Sequence, residues 1–449
     1  MMVAPQRLAQ AEGRWLPELF DPKLACVLDV PLRSPTLGDL GRISEGYRAE
    51  AVGINSLSDM GPVYRPGNIQ AMHLVPGSEH LCSPGADLPQ CLHPGDVVVT
   101  KAAPPRAALV PELVHRHPVD GNCMILRGLP PALALWVAWC LNQAPVGAYL
   151  AIMSGRGMIP RISQSALGEL RLPAPPSEVV KWAQATLPLL EEAYALHQRR
   201  DQLLADVHAA VAAAAKSLDL IDDLHDGQWI RGELMPVTSL LPSHVHLSAQ
   251  QHRLRVEGGW QRLSELIVSQ ATSRQRLAAA PDGASYIRLG DVAHDGTIAN
   301  HLGSEAPQPI TRVFAQPIQV YEVLLATIVT APRAAVVDAA IAGKTFVTDQ
   351  WVRLRFRETP GAWAMILGSP TIADQMRRMA VGTIAQYANP ADLLDLLVPP
   401  VLLEVRQEWD RRERQITERR RAWEHQWDEA CAQGHELFTV AHRISGASA

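Results

Sequence analysis

The sequence predicts a mixed α/β chain in which two repeated domains alternate with two long helices, the helices pairing as an antiparallel coiled coil. Three observations carry this. A set of short phrases recurs in the same order, 224 to 228 residues apart. A Pro-Pro pair closes each copy, at 175–176 and 399–400, and a long stretch of heptad-spaced apolar residues follows each pair. The 449 residues are 47% hydrophobic, enough to bury the cores of two or three domains.

The repeat is read element by element. A strand-like run opens it: GDVVVTK at 95–101 and YEVLLAT at 321–327. PPRAALV at 104–110 then answers APRAAVV at 331–337, a second short strand. A turn and a third apolar strand follow, DGNCMILRG at 120–128 and TDQWVRLRF at 348–356. Next come uncharged, helix-forming segments, LALWVAWCLNQ and GAWAMILGS. The copies end in GRGMIPRISQSALGELRLPAPP and VGTIAQYANPADLLDLLVPP. Alanine-rich sequence produces one such coincidence; these five phrases, with the closing Pro-Pro as a sixth feature, indicate duplication by their order.

The first long helix is expected over 177–217, with Ser177 as N-cap and Glu178 in its first turn. Val180, Ala183, Leu187, Leu190, Tyr194, Leu204 and Val211 form its seam, interrupted by His197, Asp201 and His208, and Pro188 is a kink point. The second is expected over 401–440, with Leu402, Val405, Trp409, Ile416, Trp423 and Ala430 on one seam. Its arginines are balanced by acids on the same helix, the pattern of a solvated coiled-coil face. Neither stripe can be buried by one helix alone. The domains are therefore 1–176 and 218–400, the helices 177–217 and 401–440, and the tail 441–449.

Composition narrows the function. Net charge is −5, from 41 basic and 46 acidic residues, which excludes a generally cationic nucleic-acid coat and leaves only local patches. The six cysteines, at 26, 82, 91, 123, 140 and 431, show no metal or redox spacing, the usage of a reduced, cytoplasmic protein. The start has no apolar core of signal-peptide length. Residues 128–155 carry no charge, but Asn142, Gln143, Pro145 and Gly147 break them, so a buried helix, a break and a second helix are expected rather than a membrane span.

Two related domains, each ending in Pro-Pro and a long helix, resemble the specificity subunit of type I restriction–modification enzymes, or a relative in another methylation-based defence system. GDVVVTK with the Arg-Ala-Ala strand, the Ile-Ser-x-x-x-Leu phrase before Pro-Pro, and YIRLGDVAHDGTI at 286–298 carry the resemblance. In the first copy the nearest counterpart to YIRLGDV is VGINSLSDMGPV at 52–63; in the second, YANPADLLDLLVPP stands where Ile-Ser is expected and Glu322 replaces Gly-Asp. The resemblance implies a non-catalytic chain whose two target-recognition domains each read half of a split duplex DNA site. The helices would act as spacer and as dock for two adenine methyltransferase subunits, which would carry S-adenosylmethionine. It also leaves a place for a restriction or translocase subunit.

On that reading, basic residues near turns are the candidate DNA contacts. They are Arg48, Arg65, Lys101, Arg106, Arg156 and Arg161 in the first copy, and Arg274, Arg276, Arg288, Arg312, Arg333, Lys344, Arg377 and Arg378 in the second. Arg106 and Arg333 occupy matching places, where a shared structural ion pair competes with a shared contact. Catalytic and metal motifs fail. Gly343-Lys344-Thr345 lacks the earlier glycine of a phosphate loop, with Asp338 in its place, and strand-like sequence follows it. His115 with His117, and His244 with His246 and His252, have no accompanying ligand cluster. Gly155-Arg156-Gly157 lacks a third glycine, and no Asp-Pro-Pro-Tyr or Asn-Pro-Pro-Tyr occurs. Two alternatives stand beside the leading reading: a protein-interaction scaffold in a defence complex, without sequence-specific DNA reading, and an enzyme with an unrecognised site.

Overall fold

A computed structural model describes residues 24, 27, 30, 31, 33–46, 60–76, 80–82, 90–114, 117–154, 160–216, 254–271, 274–276, 284–299, 302, 312–329, 333–380 and 386–447. The fold is mixed α/β. Its contacts divide it into two compact units, Met1–Gln198 with Ala422–Ala449, and Arg199–Arg421.

The first unit opens with α1 (Leu37–Leu40), capped by Thr36 and Asp39, and β1 (Arg42–Glu45). A small hairpin, β2 (Met60–Pro62) and β3 (His80–Cys82), precedes the main strands β4 (Val97–Thr100), β5 (Ala107–Leu109) and β6 (Cys123–Arg127). These form an antiparallel sheet of order β1-β6-β4-β5. Helices α2 (Pro131–Leu141), α3 (Ala144–Met153) and α4 (Gln164–Gly168) follow, then the long α5 (Val179–Lys216).

The second unit repeats the plan. β7 (Gln261–Arg262), α6 (Leu263–Leu266) and β8 (Ile267–Ala271) lead to β9 (Arg274–Arg276), β10 (Ser285–Ile287) and β11 (Arg312–Phe314). The main strands are β12 (Val323–Ala326), β13 (Ala334–Val336) and β15 (Trp351–Phe356), with β14 (Thr345–Val347) paired parallel to β10. The sheet order β8-β15-β12-β13 reproduces that of the first unit. The register matches too. Val97 faces Leu109 and Leu126, as Val323 faces Val336 and Leu354. Helices α7 (Pro360–Leu367) and α8 (Pro370–Met379), strand β16 (Leu397–Val398) and the long α9 (Leu403–Ala447) complete it.

The central strands read VVVT and VLLA because both faces of each sheet are buried. In the first unit Val97 and Val99 face a core with Leu135, Trp136 and Trp182, while Val98 faces Tyr64, Ile69, Leu74 and Tyr194. In the second, Val323 and Leu325 face Trp363, Met376 and Leu203, while Leu324 and Ala326 face Ile287, Val292 and Trp351. The uncharged 128–155 segment is α2 and α3, bent by 72° at their break. Ala134 to Leu141 of α2 are all buried, and among the described residues no single helix is long and apolar enough to cross a membrane.

Side chains of α5 and α9 meet inside each unit. In the first, Trp182 Nε1 donates to the Ala430 carbonyl at 2.9 Å and Trp423 Nε1 to the Leu189 carbonyl at 2.7 Å. In the second, Arg412 pairs with Asp206 at 3.0 Å. The seams differ from the expected ones at their starts. Val180 is 56% exposed, because α5 turns Val179, Trp182 and Ala183 toward the domain core instead. Leu402 lies before α9 and is 70% exposed, and Val405 is also exposed; the buried stripe begins at Trp409.

The duplication extends to places where the sequences diverge. The counterpart of YIRLGDV is not 52–63 but Val63 to Ile69. Arg65 N donates to Asn68 Oδ1 (2.9 Å) across the 3-10 turn Pro66–Asn68, as Arg288 N donates to Asp291 Oδ2 (2.7 Å) across Leu289–Asp291. Asn389 stands for the serine of Ile-Ser: Ser163 Oγ accepts from Ala166 N, and Asn389 Oδ1 from Ala391 N. Glu322 takes the place of Asp96 itself. Asp96 is held by Arg127 at 2.7 Å; Glu322 is held at 2.7 Å by Arg353, which stands two residues earlier on its strand than Arg127 does on β6. Tyr321 then occupies the left-handed backbone position of Gly95, at φ 66° against 82°.

Two outcomes follow for urea unfolding followed by fluorescence and circular dichroism. Arg353→Met strands the buried Glu322 carboxylate and should lower stability by about 3–5 kcal/mol. Tyr321→Gly removes a left-handed bulky residue, whose conformation costs roughly 1–2 kcal/mol. It also removes the Arg414 guanidinium's contact over the ring at 5.8 Å, worth about 0.5–1 kcal/mol at an exposed site. A small net gain is expected; a loss above about 1 kcal/mol would contradict the strain argument.

Candidate nucleic-acid interface

One end of each sheet is built from the same three pieces: the turn of the β4–β5 or β12–β13 hairpin, the turn entering the next strand, and a segment returning before Pro-Pro. In the first unit, Thr100 N donates to the Arg106 carbonyl and Arg106 N to Thr100 Oγ1, both at 2.9 Å, which pins the root of Arg106. The returning segment bridges Ala102 to Arg161, with Ile162 N donating to the Lys101 carbonyl at 2.8 Å. Lys101, Arg106 and Arg161 therefore share one rim. Arg106 and Arg161 are exposed, whereas Lys101 is buried with Nζ 3.0 Å from Glu45 Oε1.

The second unit keeps the backbone and changes the side chains. Ala326 N donates to the Arg333 carbonyl, and Ala388 N to the Thr327 carbonyl at 2.8 Å. The bridge Ile328–Tyr387 repeats Ala102–Arg161. Thr327 thus stands for Lys101, Arg333 for Arg106 and Tyr387 for Arg161. Arg333 turns inward: its Nη1 donates to the carbonyls of Leu289 at 2.5 Å and Val292 at 2.6 Å. Sequence reasoning passed over Tyr387; aligning Ala388-Asn389 on Ile162-Ser163 would have found it.

The remaining candidates are dispersed. Arg65 and Arg288 begin the matched 3-10 turns. Arg312 pairs with Arg276, and Phe314 with Arg274, in the β9–β11 ladder. Lys344 is exposed after Gly343, whose φ is 85°, and strand β14 follows, so this tripeptide forms a turn into a strand rather than a phosphate loop. Arg377 pairs with Asp374 at 2.9 Å on α8, beside the half-buried Arg378. Arg48 and Arg156 lie outside the described residues, as do His115, His244, His246 and His252. Among the described residues no cluster of His, Cys, Asp or Glu has the arrangement of a metal site.

Solved structures similar to this chain include two specificity subunits of type I restriction–modification systems and a chain from a type I R-M complex. The S subunit from M. genitalium is 12% identical, with 91% of this chain and 95% of that one covered and a TM-score of 0.38. The HsdS subunit from Thermoanaerobacter tengcongensis is 16% identical over 92% and 96%, with a TM-score of 0.27. A third, from a structure on complex assembly and conformational transition of the type I R-M system, is 14% identical over 92% and 98%, with a TM-score of 0.26. No protein-family model and no curated protein matches the chain.

The arginines of α9 divide: Arg411 is exposed and pairs with Glu408 on the same helix, as a solvated face requires, while others are engaged within the second unit. Arg414 pairs with the buried Asp410, which also accepts from Gly361 N at the start of α7 (2.7 Å). Arg421 pairs with Asp338 at 2.7 Å, and Arg420 donates to the Ile298 carbonyl at 3.2 Å. In the first unit aromatic groups do the corresponding work. Tyr64 and Tyr194 share a 2.6 Å hydrogen bond. The His73 ring stacks on His197 at 6.2 Å and meets Trp423 and Trp427 edge-on at 5.8 and 6.2 Å.

Burial, with His197 adding repulsion, pushes the His73 imidazole down to about 4. Its unfolded value is about 6.5, so the native state binds fewer protons between these limits. The stabilisation is complete above pH 6.5 and lost as pH falls toward 4, by on the order of 3 kcal/mol. A pH series of urea midpoints should show that fall, and His73→Phe should flatten it. An unchanged slope would mean that His73 is not the group responsible.

Proposed function

We propose that this chain is a DNA sequence-recognition subunit with no chemistry of its own, which directs adenine-methylating subunits to a bipartite site. The carrying observation is the duplication: two sheets with one strand order and one register, each followed by a helix pair, Pro-Pro and a long helix. A split target needs two related reading heads. A chain acting on one substrate at one centre does not. Residues 1–176 and 218–400 are the heads, and 177–217 and 401–440 form the antiparallel coiled-coil spacer that docks two methyltransferase subunits. S-adenosylmethionine belongs to those partners, and a restriction or translocase subunit completes a nuclease-competent form.

Phosphate contacts would position each head and a few side chains would read base edges. The net charge of −5, and the engagement of Arg414, Arg420 and Arg421 within the second unit, favour a second reading, a protein scaffold in a defence complex. The two separate cleanly: the chain with its methyltransferase enriches a split sequence from a random duplex library, and a scaffold enriches none.

The spacer role predicts a specific outcome. Four residues inserted after Gln198, matched by four after Arg421, fall at the points where each helix passes from one unit to the other. They add about 6 Å, roughly two base-pair steps. Methylation sequencing of a host carrying this variant should find the same half-sites with a longer gap. An unchanged gap would refute the ruler.

A further inference from the structure

We propose that the rim of the first unit is a phosphate grip for duplex DNA, formed by Arg106 and Arg161, and that the matching rim of the second unit is not. The inference deepens the DNA-recognition reading and rests on it. Its basis is a difference between two copies of one backbone. At the first rim both arginines are exposed on roots fixed by main-chain bonds: Arg106 through Thr100, Arg161 through its bridge to Ala102. Lys101 is spent on Glu45 at 3.0 Å. That pairing neutralises the carboxylate that would otherwise repel a phosphate. Two guanidinium forks on a rigid edge suit bidentate phosphate contact.

The second rim keeps those main-chain bonds but not the exposed charges. Arg333 donates to the Leu289 and Val292 carbonyls, so its guanidinium braces the 3-10 turn. Thr327 replaces the lysine and bonds the Gln350 carbonyl through its hydroxyl at 2.9 Å. Tyr387, 53% exposed, replaces Arg161. The second rim offers an aromatic face where the first offers charge. The two heads would therefore contribute unequally to salt-dependent affinity, which scales with the number of phosphates neutralised.

The test uses the full-length chain and a random-sequence 30-base-pair duplex, with binding followed by fluorescence anisotropy from 50 to 200 mM salt. The Arg106→Gln/Arg161→Gln variant should weaken binding and reduce the slope of log K against log salt by about two, near 0.9 for each phosphate lost. Arg333→Gln should leave the slope unchanged, and Tyr387→Arg should raise it by about one. Circular dichroism confirms that each variant is folded; if Arg333→Gln is not, the Tyr387→Arg arm decides the second unit. A wild-type chain that binds while the double variant keeps its slope overturns the grip and leaves the recognition reading standing. A wild-type chain with no salt-dependent affinity overturns both.

Discussion

Burial of both faces of a small sheet is the constraint on which the rest of this protein depends. Three of the four strands in each sheet, three to six residues long, are mostly apolar and buried on both faces, so neither face of those strands can be left to water. One face takes the helix pair that follows the last strand; the other takes the segment around the 3-10 turn. Neither cover is sufficient by itself. The long helices complete both units, with Val179, Trp182, Leu190, Phe438 and Ala441 in one core and Leu203, Val207, Val211, Trp409 and Ile416 in the other. Each buried aliphatic side chain contributes about 1.5–3 kcal/mol, so these stripes hold the domains as well as each other.

That double duty explains why a long helix follows each Pro-Pro while its first turn buries residues other than the heptad ones; α9 also runs on to Ala447, into the expected tail 441–449, because Ala441 packs in the first core. A two-helix seam would bury Val180 and Leu402. The domain surface, not the partner helix, sets which side of the first turn is covered, and it selects Val179 and Trp182. The same reasoning applies to charge. The arginine run of α9 is balanced by acids, as its composition indicated, but the partners are often on other elements: Asp206 for Arg412 and Asp338 for Arg421.

The buried ion pairs show how a duplicated fold drifts without losing its logic. An acid at the mouth of the central strand must be paired once it is removed from water. The first copy pairs Asp96 with Arg127; the second uses a longer acid, Glu322, and an arginine displaced by two residues on the same strand face. Because strand side chains alternate, a shift of two keeps the face and a shift of one would not. Such exchanges hide from a phrase-by-phrase alignment and are plain in a register.

The sequence by itself determined the duplication, the strand runs, the broken pair of apolar helices, and the two long helices. Those follow from local periodicity, from uninterrupted apolar runs and from Pro-Pro, which are properties of neighbouring residues. It also brought Arg106 and Arg333 into correspondence. Tertiary structure alone decided that one is exposed and the other is tied to carbonyls some 40 residues away, because that choice depends on what the 3-10 turn presents to the hairpin. It alone paired Val63–Ile69 with its second-copy counterpart and put Tyr387 in the place of Arg161, since hydrogen-bond register, rather than residue likeness, defines those matches.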